Sequence, residues 1–213
     1  MGYTTDFIGH IDIEPGLNQD EIEYLTAFSE SRRYDRECGP YAVPGNPFAE
    51  TRTGRGDIEI DRYNRVAPGQ PELWCQWEPC WSGCCFSFDG TEKFYQPVRW
   101  MEYLIEHFLR PGALASTTRD PQFEHFTFDH RLDGMVVGCR RDTKRLFAIT
   151  VTNNVVREEE LRRGLSEYAD MPPLPYETAI DRWAAESRPR RWRRSSGEAT
   201  GKAVVDLSTR RSS

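Results

Sequence analysis

Four of the chain's six cysteines lie in one short segment, WCQWEPCWSGCC, at residues 74–85. Cysteine thiolates bind zinc and other soft metals and act in redox centres. Structural zinc sites usually combine two closely spaced pairs of ligands. Here Cys75, Cys80 and Cys84 offer three ligands without an evident fourth, and Cys85 would face away from Cys84 in a regular strand. We therefore predict a β-hairpin with buried thiols and neither metal nor cofactor; a zinc site at Cys75, Cys80 and Cys84 is the alternative.

Aromatic and polar side chains surround these cysteines. Aromatic walls with a few polar groups suit a pocket for a small molecule or a stacked base. The same side chains could instead form the core between a sheet and a helix, and this core interpretation is favoured. The predicted binding residues are Trp74, Gln76, Trp77, Asp89, Lys93, Tyr95 and Trp100.

Acid–base chemistry has four candidate residues, namely Glu102, His125, Asp129 and His130. Histidine titrates near neutral pH and serves as a general acid or base. In a regular strand two residues five positions apart face opposite sides, so His125 and His130 are not expected to share one site. Ordinary polar positions on a strand are the favoured interpretation of both histidines.

Phosphate-binding and nucleophile motifs of the types G-x-x-x-x-G-K-[ST], G-x-G-x-x-G and G-x-S-x-G are absent from the sequence. The segment TGRGD, residues 53–57, is rich in glycine, and Arg52 and Arg55 accompany it. Consecutive backbone amides in such a loop can hold an anion. Arg52 and Arg55 are therefore predicted anion-binding residues, with an ordinary surface loop as the alternative.

Charge is unevenly distributed along the 213 residues, whose net charge is −6. Residues 188–213 hold eight basic and two acidic residues, a net charge of +6, so residues 1–187 carry −12. The acidic charge of residues 1–187 repels nucleic acid, so we do not expect this part to bind it. The basic tail could still bind a nucleic acid. The sequence contains neither a long apolar run for a membrane span nor a basic, apolar leader, so we expect a cytoplasmic protein with reduced thiols.

Hydrophobic periodicity and turn residues divide the chain into helices and strands. TTDFIGHIDI alternates as a half-buried strand, Asn18 and Glu21 form a capping-box pattern, and Pro97 suits the first turn of a helix. In chain order the predicted elements are strand 4–13, a helix from Asn18 to about Arg33, a short strand at 58–60, strands 73–79 and 84–90, a helix at 98–109, strands 123–130, 134–139 and 146–151, and a polar helix at 157–169.

This order predicts an α+β fold, with a mostly antiparallel sheet of five to six strands and two main helices packed on one face. The polar helix is a third, peripheral one. We expect a single domain at residues 1–170 with a long Gly/Pro-rich loop at 38–70. A linker and a basic, disordered C-terminal tail follow at residues 171–213.

Four sequence blocks, MGYTTDF, PELWCQW, FDGTEKFY and WMEYLIEHFLRPG, resemble a set of small proteins of bacteria and their phages. The resemblance covers about residues 1–156, apart from the detail of the loop at 38–70, and the cysteine-rich insert and the basic tail depart from it. The set has no established activity, so the resemblance supplies no catalytic residues and implies only an accessory or host-interaction role.

Together these patterns favour a cytosolic module that binds a protein or a small-molecule ligand, because no complete catalytic constellation is present. A small enzyme acting on a nucleotide-like or other small polar substrate is the alternative.

Overall fold

The computed structural model describes residues 3–44, 60–91 and 93–183. Its fold confirms the predicted α+β class. Six strands pair throughout in antiparallel fashion, in the spatial order β2-β3-β1-β4-β5-β6. The strands are β1 (Thr5–Glu14), β2 (Trp77–Pro79), β3 (Cys85–Phe88), β4 (Arg131–Arg140), β5 (Leu146–Thr152) and β6 (Val155–Arg162).

Two helices cover one face of this sheet. They are α1 (Gln19–Glu30) and α3 (Pro97–Leu104), and α3 continues as a π-helical turn at Ile105–Leu109. The short helix α2 (Ile60–Tyr63) lies between them in the chain order. Within the described residues no helix is long and apolar enough to cross a membrane.

The core lies between these helices and the inner face of the sheet. Strand residues such as Ile11 and Ile149 meet Phe28 of α1 and Trp100 of α3, and none of these four is exposed to solvent. Aromatic rings dominate the interior and meet edge to face, as Phe28 and Trp100 do at 6.1 Å between ring centroids. The core interpretation of the aromatic cluster therefore holds for Trp77 and Trp100.

The capping box predicted for α1 is confirmed. Asn18 is the N-cap, its side chain accepts a hydrogen bond from the Glu21 amide at 3.0 Å, and Glu21 in turn accepts from the Asn18 amide at 2.8 Å. These bonds satisfy amides that have no partner inside the helix. They also fix the position of the Glu21 side chain, which belongs to the buried network with His130 described below.

The strand predicted at residues 123–130 is wrong. A 3₁₀ turn at Pro121–Phe123 leads into an irregular segment, and β4 begins only at Arg131. Phe123 and Phe126 are both buried against Tyr24. Two residues that are three positions apart can share one side of a turn, whereas in a strand they would face opposite sides. Phe128 has a positive φ of 50°, which also breaks an extended conformation.

The polar helix predicted at residues 157–169 is also wrong, because residues 157–162 belong to β6. Asn153 and Asn154 both adopt positive φ values, 50° and 67°, as a two-residue hairpin turn requires. The strand is exposed, so it lacks an apolar alternation. Arg145, the residue before β5, pairs with Glu158 and Glu160 of β6, and these charges stabilise the edge strand.

Strands β2 and β3 are shorter than predicted. Residues 74–76 precede β2, so Trp74 and Gln76 do not share a strand face, and Cys75, Gln76 and Trp77 are all buried. Of the strand predicted at 58–60, residues 58 and 59 lie outside the described residues and Ile60 begins α2.

Contacts divide the chain into two units, Met1–Pro172 and Pro173–Ser213. In the second unit residues 175–183, predicted as linker, are helical, and the Leu174 amide donates to the Glu177 carboxylate at 2.8 Å. The disorder predicted for the basic tail concerns residues outside the described part of the chain.

Candidate functional sites

The predicted aromatic binding set does not form one open surface. Trp77 and Trp100 are 1% and 0% exposed, and the Trp77 indole N–H donates to the Pro97 carbonyl at 2.8 Å. Tyr95 is half-buried, with its ring 5.6 Å from that of Tyr3. The two tryptophans are therefore core residues and cannot contact a ligand at the surface.

The other members of the set lie nearer to solvent. Trp74 is half-buried, and the Arg32 guanidinium lies 5.8 Å from its ring centroid. Gln76 donates to the Thr91 hydroxyl, which also contacts Asp89. Lys93 is exposed. These residues remain a predicted site, and none of them lines either of the two best-formed cavities of the described residues.

The four acid–base candidates are separated. His125 and Asp129 are exposed, Glu102 lies on the outer side of α3, and His130 is 1% exposed. Of the four, only Glu102 lines the cleft of about 1020 Å³ beside α3. The structure therefore does not assemble them into one catalytic group.

His130 instead belongs to a buried network with Glu21. Its Nδ1 lies 2.7 Å from the Pro15 carbonyl and its Nε2 lies 3.1 Å from Glu21 Oε1. The same Glu21 oxygen accepts from the Thr127 amide at 2.8 Å and from the Thr127 hydroxyl at 3.0 Å. The network ties the start of α1 to the segment that leads into β4, and we interpret it as structural.

The pKa values of this pair shift in opposite directions. Burial alone raises the pKa of Glu21, but hydrogen bonds with His130, Thr127 and Asn18 outweigh burial and lower it. Burial alone lowers the pKa of His130, but its bonds to Glu21 and Pro15 raise it. Because both ring nitrogens face acceptors, only the imidazolium can donate to both.

A cleft of about 1020 Å³ lies beside α3. Nine residues of the segment 96–111, residues 69–71, Asn153 and Asn154 of the hairpin turn and Val155 and Val156 of β6 line it, and we call it the α3 cleft. Gln96, at the start of α3, adopts the left-handed conformation with φ of 55°. A glutamine pays a steric cost there, and such backbone strain is frequent at functional sites.

A buried hydrogen-bond network supports the floor of the α3 cleft. The Tyr41 hydroxyl lies 2.6 Å from His107 Nδ1, and the His107 ring stacks on Tyr103 at 3.8 Å. Gln70 donates to the Tyr103 hydroxyl at 3.3 Å and accepts from Arg33 at 3.4 Å. These contacts fix the orientation of three residues that line the cleft, Gln70, Tyr103 and His107.

Arg33 is a buried cation behind this floor. It is 1% exposed, and its guanidinium donates to the carbonyls of Pro40 and Ala42 at 2.6 and 3.0 Å and to the Ser31 hydroxyl at 2.9 Å. Burial lowers its pKa to about 10, so the group stays charged at neutral pH. Carbonyl oxygens and the face of the Phe28 ring, at 3.9 Å, stabilise this charge.

His107 is neutral at physiological pH. Burial lowers its pKa to about 4, against the opposing effect of Glu106. Nδ1 faces Tyr41, and Nε2 has no hydrogen-bond partner among the described residues. When Tyr41 donates to Nδ1, the Nε2–H is left as a neutral donor for a bound molecule.

The rim of the α3 cleft carries balanced charge. Arg110 and Glu106 pair with each other through two hydrogen bonds of 2.8 and 2.5 Å. Arg99 and Glu102 are exposed and make no ion pair with any residue in the described ranges. Two opposite charges are therefore available to a ligand on this rim.

The cysteines form a second candidate site at the tip of the β2–β3 hairpin. The sulfur atoms of Cys80, Cys84 and Cys85 all lie within 4.8 Å of one another, and those of Cys80 and Cys84 are 3.4 Å apart. The Ser82 hydroxyl lies 3.3 Å from both of these sulfurs. Cys75 is fully buried and outside this group, and burial raises its pKa to about 12. The alternative ligand set Cys75, Cys80 and Cys84 is thus wrong in its first member.

The hairpin backbone explains why Cys84 and Cys85 meet. Gly83 has a positive φ of 72°, and a Cβ there would lie 2.6 Å from the Leu17 carbonyl oxygen. Glycine therefore permits a tight turn that places Cys84 before the first residue of β3. The alternation expected of a strand does not apply to Cys84, which is why the two side chains can converge.

The pKa values of Cys80 and Cys85 shift in opposite directions. Burial raises the pKa of Cys80, but hydrogen bonds with Ser82, Cys84 and Cys85 outweigh it and lower the pKa to about 6. Burial, followed by the neighbouring Cys80, raises the pKa of Cys85 to about 12. The cluster thus carries thiolate character at neutral pH, the form that binds metals.

Arg52 and Arg55, the predicted anion-binding residues, lie outside the described residues.

Three comparisons with known proteins, against family models, curated proteins and solved structures, found no match to this chain. The resemblance to small bacterial and phage proteins therefore stays a prediction.

Proposed function

We propose that the protein is a binding module for a small polar molecule, which it holds in the α3 cleft. The observation that carries this proposal is the orientation of the cleft floor by the buried network of Tyr41, His107, Tyr103, Gln70 and Arg33. A floor of this kind presents hydrogen-bonding groups in fixed directions before a ligand arrives. Preorganised polar groups in a concave site are what small-molecule sites require.

The lining indicates the class of ligand. Arg99 and Glu102 on the rim are opposite in charge, Arg110 is paired with Glu106, and His107 is neutral. A strongly charged ligand would therefore find no net complement in the described part of the cleft. A neutral or zwitterionic molecule with both donors and acceptors, such as a nucleoside, a sugar or an amino acid, matches this lining.

Binding is favoured over acid–base catalysis by the placement of the titratable groups. Only Glu102 of the four predicted acid–base residues lines the cleft, and it is exposed. General acid–base catalysis needs a group whose pKa lies near the working pH and whose position is fixed. His107 is well positioned, but its pKa of about 4 makes it a poor base at neutral pH.

The test is NMR titration of the isotopically labelled full-length protein with adenosine, glucose and glutamine at millimolar concentrations. We expect at least one probe to shift the amides of residues 96–110 and of Asn153 and Asn154. Arg99→Ala or Glu102→Gln should weaken that probe about tenfold, since a hydrogen bond to a charged group contributes about 1.5–3 kcal/mol.

Matched controls lie at exposed positions in and directly after the far part of β6, because Val155 and Val156 at its start line the cleft. Arg163→Ala and Glu159→Gln remove the same charges from positions outside the cleft and should leave affinity unchanged. Shifts confined to Trp74, Lys93 and Tyr95 would instead favour the aromatic surface predicted from the sequence. Absence of any shift with all three probes would contradict the proposal.

A further inference from the structure

We propose that Cys80, Cys84 and Cys85 form a zinc site with three sulfur ligands and an oxygen at the fourth position. The site lies at the tip of the β2–β3 hairpin and does not depend on the proposed function of the α3 cleft. None of its residues lines that cleft.

The distances between the thiols suit a tetrahedral ion. With Zn–S bonds of about 2.3 Å, the sulfurs of a tetrahedral site lie roughly 3.8 Å apart. The Cys80 and Cys84 sulfurs are 3.4 Å apart, and all three sulfurs lie within 4.8 Å of one another. Small side-chain rotations therefore suffice to bring the three thiolates around one ion.

An oxygen already lies beside the sulfurs. Ser82 Oγ is 3.3 Å from the sulfurs of both Cys80 and Cys84. In a tetrahedral zinc site an oxygen ligand lies roughly 3.5 Å from each sulfur, given Zn–O bonds of about 2.0–2.2 Å. The Ser82 hydroxyl, or a water that it orients, thus supplies the fourth position. An oxygen ligand favours Zn²⁺ over Cu⁺, which prefers sulfur alone.

The backbone holds the three cysteines in place without a metal. The Cys80 amide donates to the Cys85 carbonyl at 2.9 Å, and the Gly83 amide donates to the Cys80 carbonyl at 3.0 Å. Two bonds fasten the hairpin tip to the body: Ile13 N–H to the Cys84 carbonyl and Leu17 N–H to the Gly83 carbonyl, both at 2.9 Å. A metal would find its ligands largely preorganised, which lowers the entropic cost of binding.

The hairpin tip is also accessible to an ion. Cys84 is exposed, and Trp81, between Cys80 and Ser82, is 91% exposed. Cys75, the buried thiol, lacks such access, and its sulfur lies 3.9 Å from the Trp77 carbonyl oxygen. The exposed trio rather than the buried thiol is therefore the one that zinc can reach.

The test starts from reduced, metal-free, full-length protein handled without oxygen. Native mass spectrometry with added Zn²⁺ should show one bound ion, and Co²⁺ should give sulfur-to-metal charge transfer together with the visible bands of a tetrahedral site. Cys80→Ser, Cys84→Ser and Cys85→Ser should each weaken Zn²⁺ at least about tenfold. Circular dichroism of each metal-free variant separates loss of binding from loss of folding.

Two control variants make the ligand assignment falsifiable. Cys38→Ser removes an exposed thiol elsewhere, and Cys75→Ala removes the buried one; both should bind one Zn²⁺ normally. Loss of Zn²⁺ in folded Cys75→Ala with retention in Cys85→Ser would overturn the ligand set. Binding of Cu⁺ without Zn²⁺, or no metal on protein with six titratable thiols in denaturant, would overturn the zinc site.

Discussion

Glu21→Ala should remove a large part of the stability of the sheet–helix core. The Glu21 carboxylate is 1% exposed and accepts four hydrogen bonds, from the Asn18 amide, the Thr127 amide and hydroxyl, and His130. A buried donor left without a partner costs about 1–3 kcal/mol, and breaking a buried ion pair costs about 3–5 kcal/mol. Asn18 can regain water, so we expect a total loss of about 4 kcal/mol, against a stability of about 5–15 kcal/mol for a typical domain.

The assay is urea unfolding followed by tryptophan fluorescence. Glu23→Ala is the matched control, because Glu23 is an exposed glutamate on the same helix whose one hydrogen-bond partner among the described residues is Gln19. Its loss should stay below about 0.5 kcal/mol. A loss below about 1 kcal/mol for Glu21→Ala would refute the reasoning, since it would mean that water replaces the carboxylate without penalty.

The same pair gives a pH dependence whose sign follows from the two shifts. Glu21 has a lowered pKa, so its contribution is present above 4.5 and is lost as pH falls through its folded value. His130 has a raised pKa, so its contribution is present below 6.5 and is lost as pH rises through its folded value. The stability difference between the wild type and Glu21→Gln should therefore peak between pH 4.5 and 6.5 and shrink as pH rises through the folded pKa of His130. A difference that grows with alkaline pH would contradict the pairing.

Three further predictions concern the core. Gly138→Ala should destabilise by about 1–3 kcal/mol in urea unfolding, because its Cβ would lie 2.5 Å from the Phe147 ring. Arg33→Met should cost about 3 kcal/mol in the same assay, because it leaves buried carbonyls without their donor. Cys75 should resist alkylation at pH 8 in native protein, given its burial and its pKa of about 12, and should react after denaturation. Gly16→Ala and Arg119→Met are the matched controls for the two substitutions and should leave the free energy of unfolding nearly unchanged. Cys38 is the control for alkylation and should react in native protein.

Local patterns predicted those elements whose signals lie within a few residues. The alternation of residues 4–13 predicted β1, the pair Asn18 and Glu21 predicted the start of α1, and Pro97 predicted the start of α3. In each case the preference acts over a few neighbouring residues. The element that it favours is also the one that buries the apolar side chains of the segment in the fold. Agreement between local preference and tertiary environment is what makes such segments predictable.

Prediction failed where tertiary contacts decided the conformation. Phe123 and Phe126 occur in a segment that alternates like a strand, yet a cluster around Tyr24 draws them into a turn. In β6 the charged residues favour no period, and the strand forms because Asn153 and Asn154 turn the chain back on β5. The dipeptide Asn-Asn is the local signal for this hairpin, because asparagine tolerates the positive φ that a two-residue turn requires.

The α3 cleft was beyond sequence reasoning because its floor joins residues far apart in the chain. Gln70, Tyr103, His107 and Asn153 become neighbours only when α3 packs beside the hairpin turn. His107 has the i+4 spacing to Tyr103 that predicts contact on a helix, but nothing local indicates that Tyr41 would reach its Nδ1. Among the residues that line the cleft, only Glu102 is a candidate from the sequence, and the sequence suggests it as an acid or base rather than as a binding residue.

The thiol cluster shows how one backbone angle changes the chemistry that a sequence can perform. In a regular strand Cys84 and Cys85 would point apart, and Cys75 would be the natural third ligand. The left-handed Gly83 ends that regularity one residue before Cys84, so three sulfurs meet at the hairpin tip. The Ser82-Gly83 pair before the two cysteines was therefore the informative signal, because Ser-Gly marks a tight turn and thiols that flank a tight turn can converge.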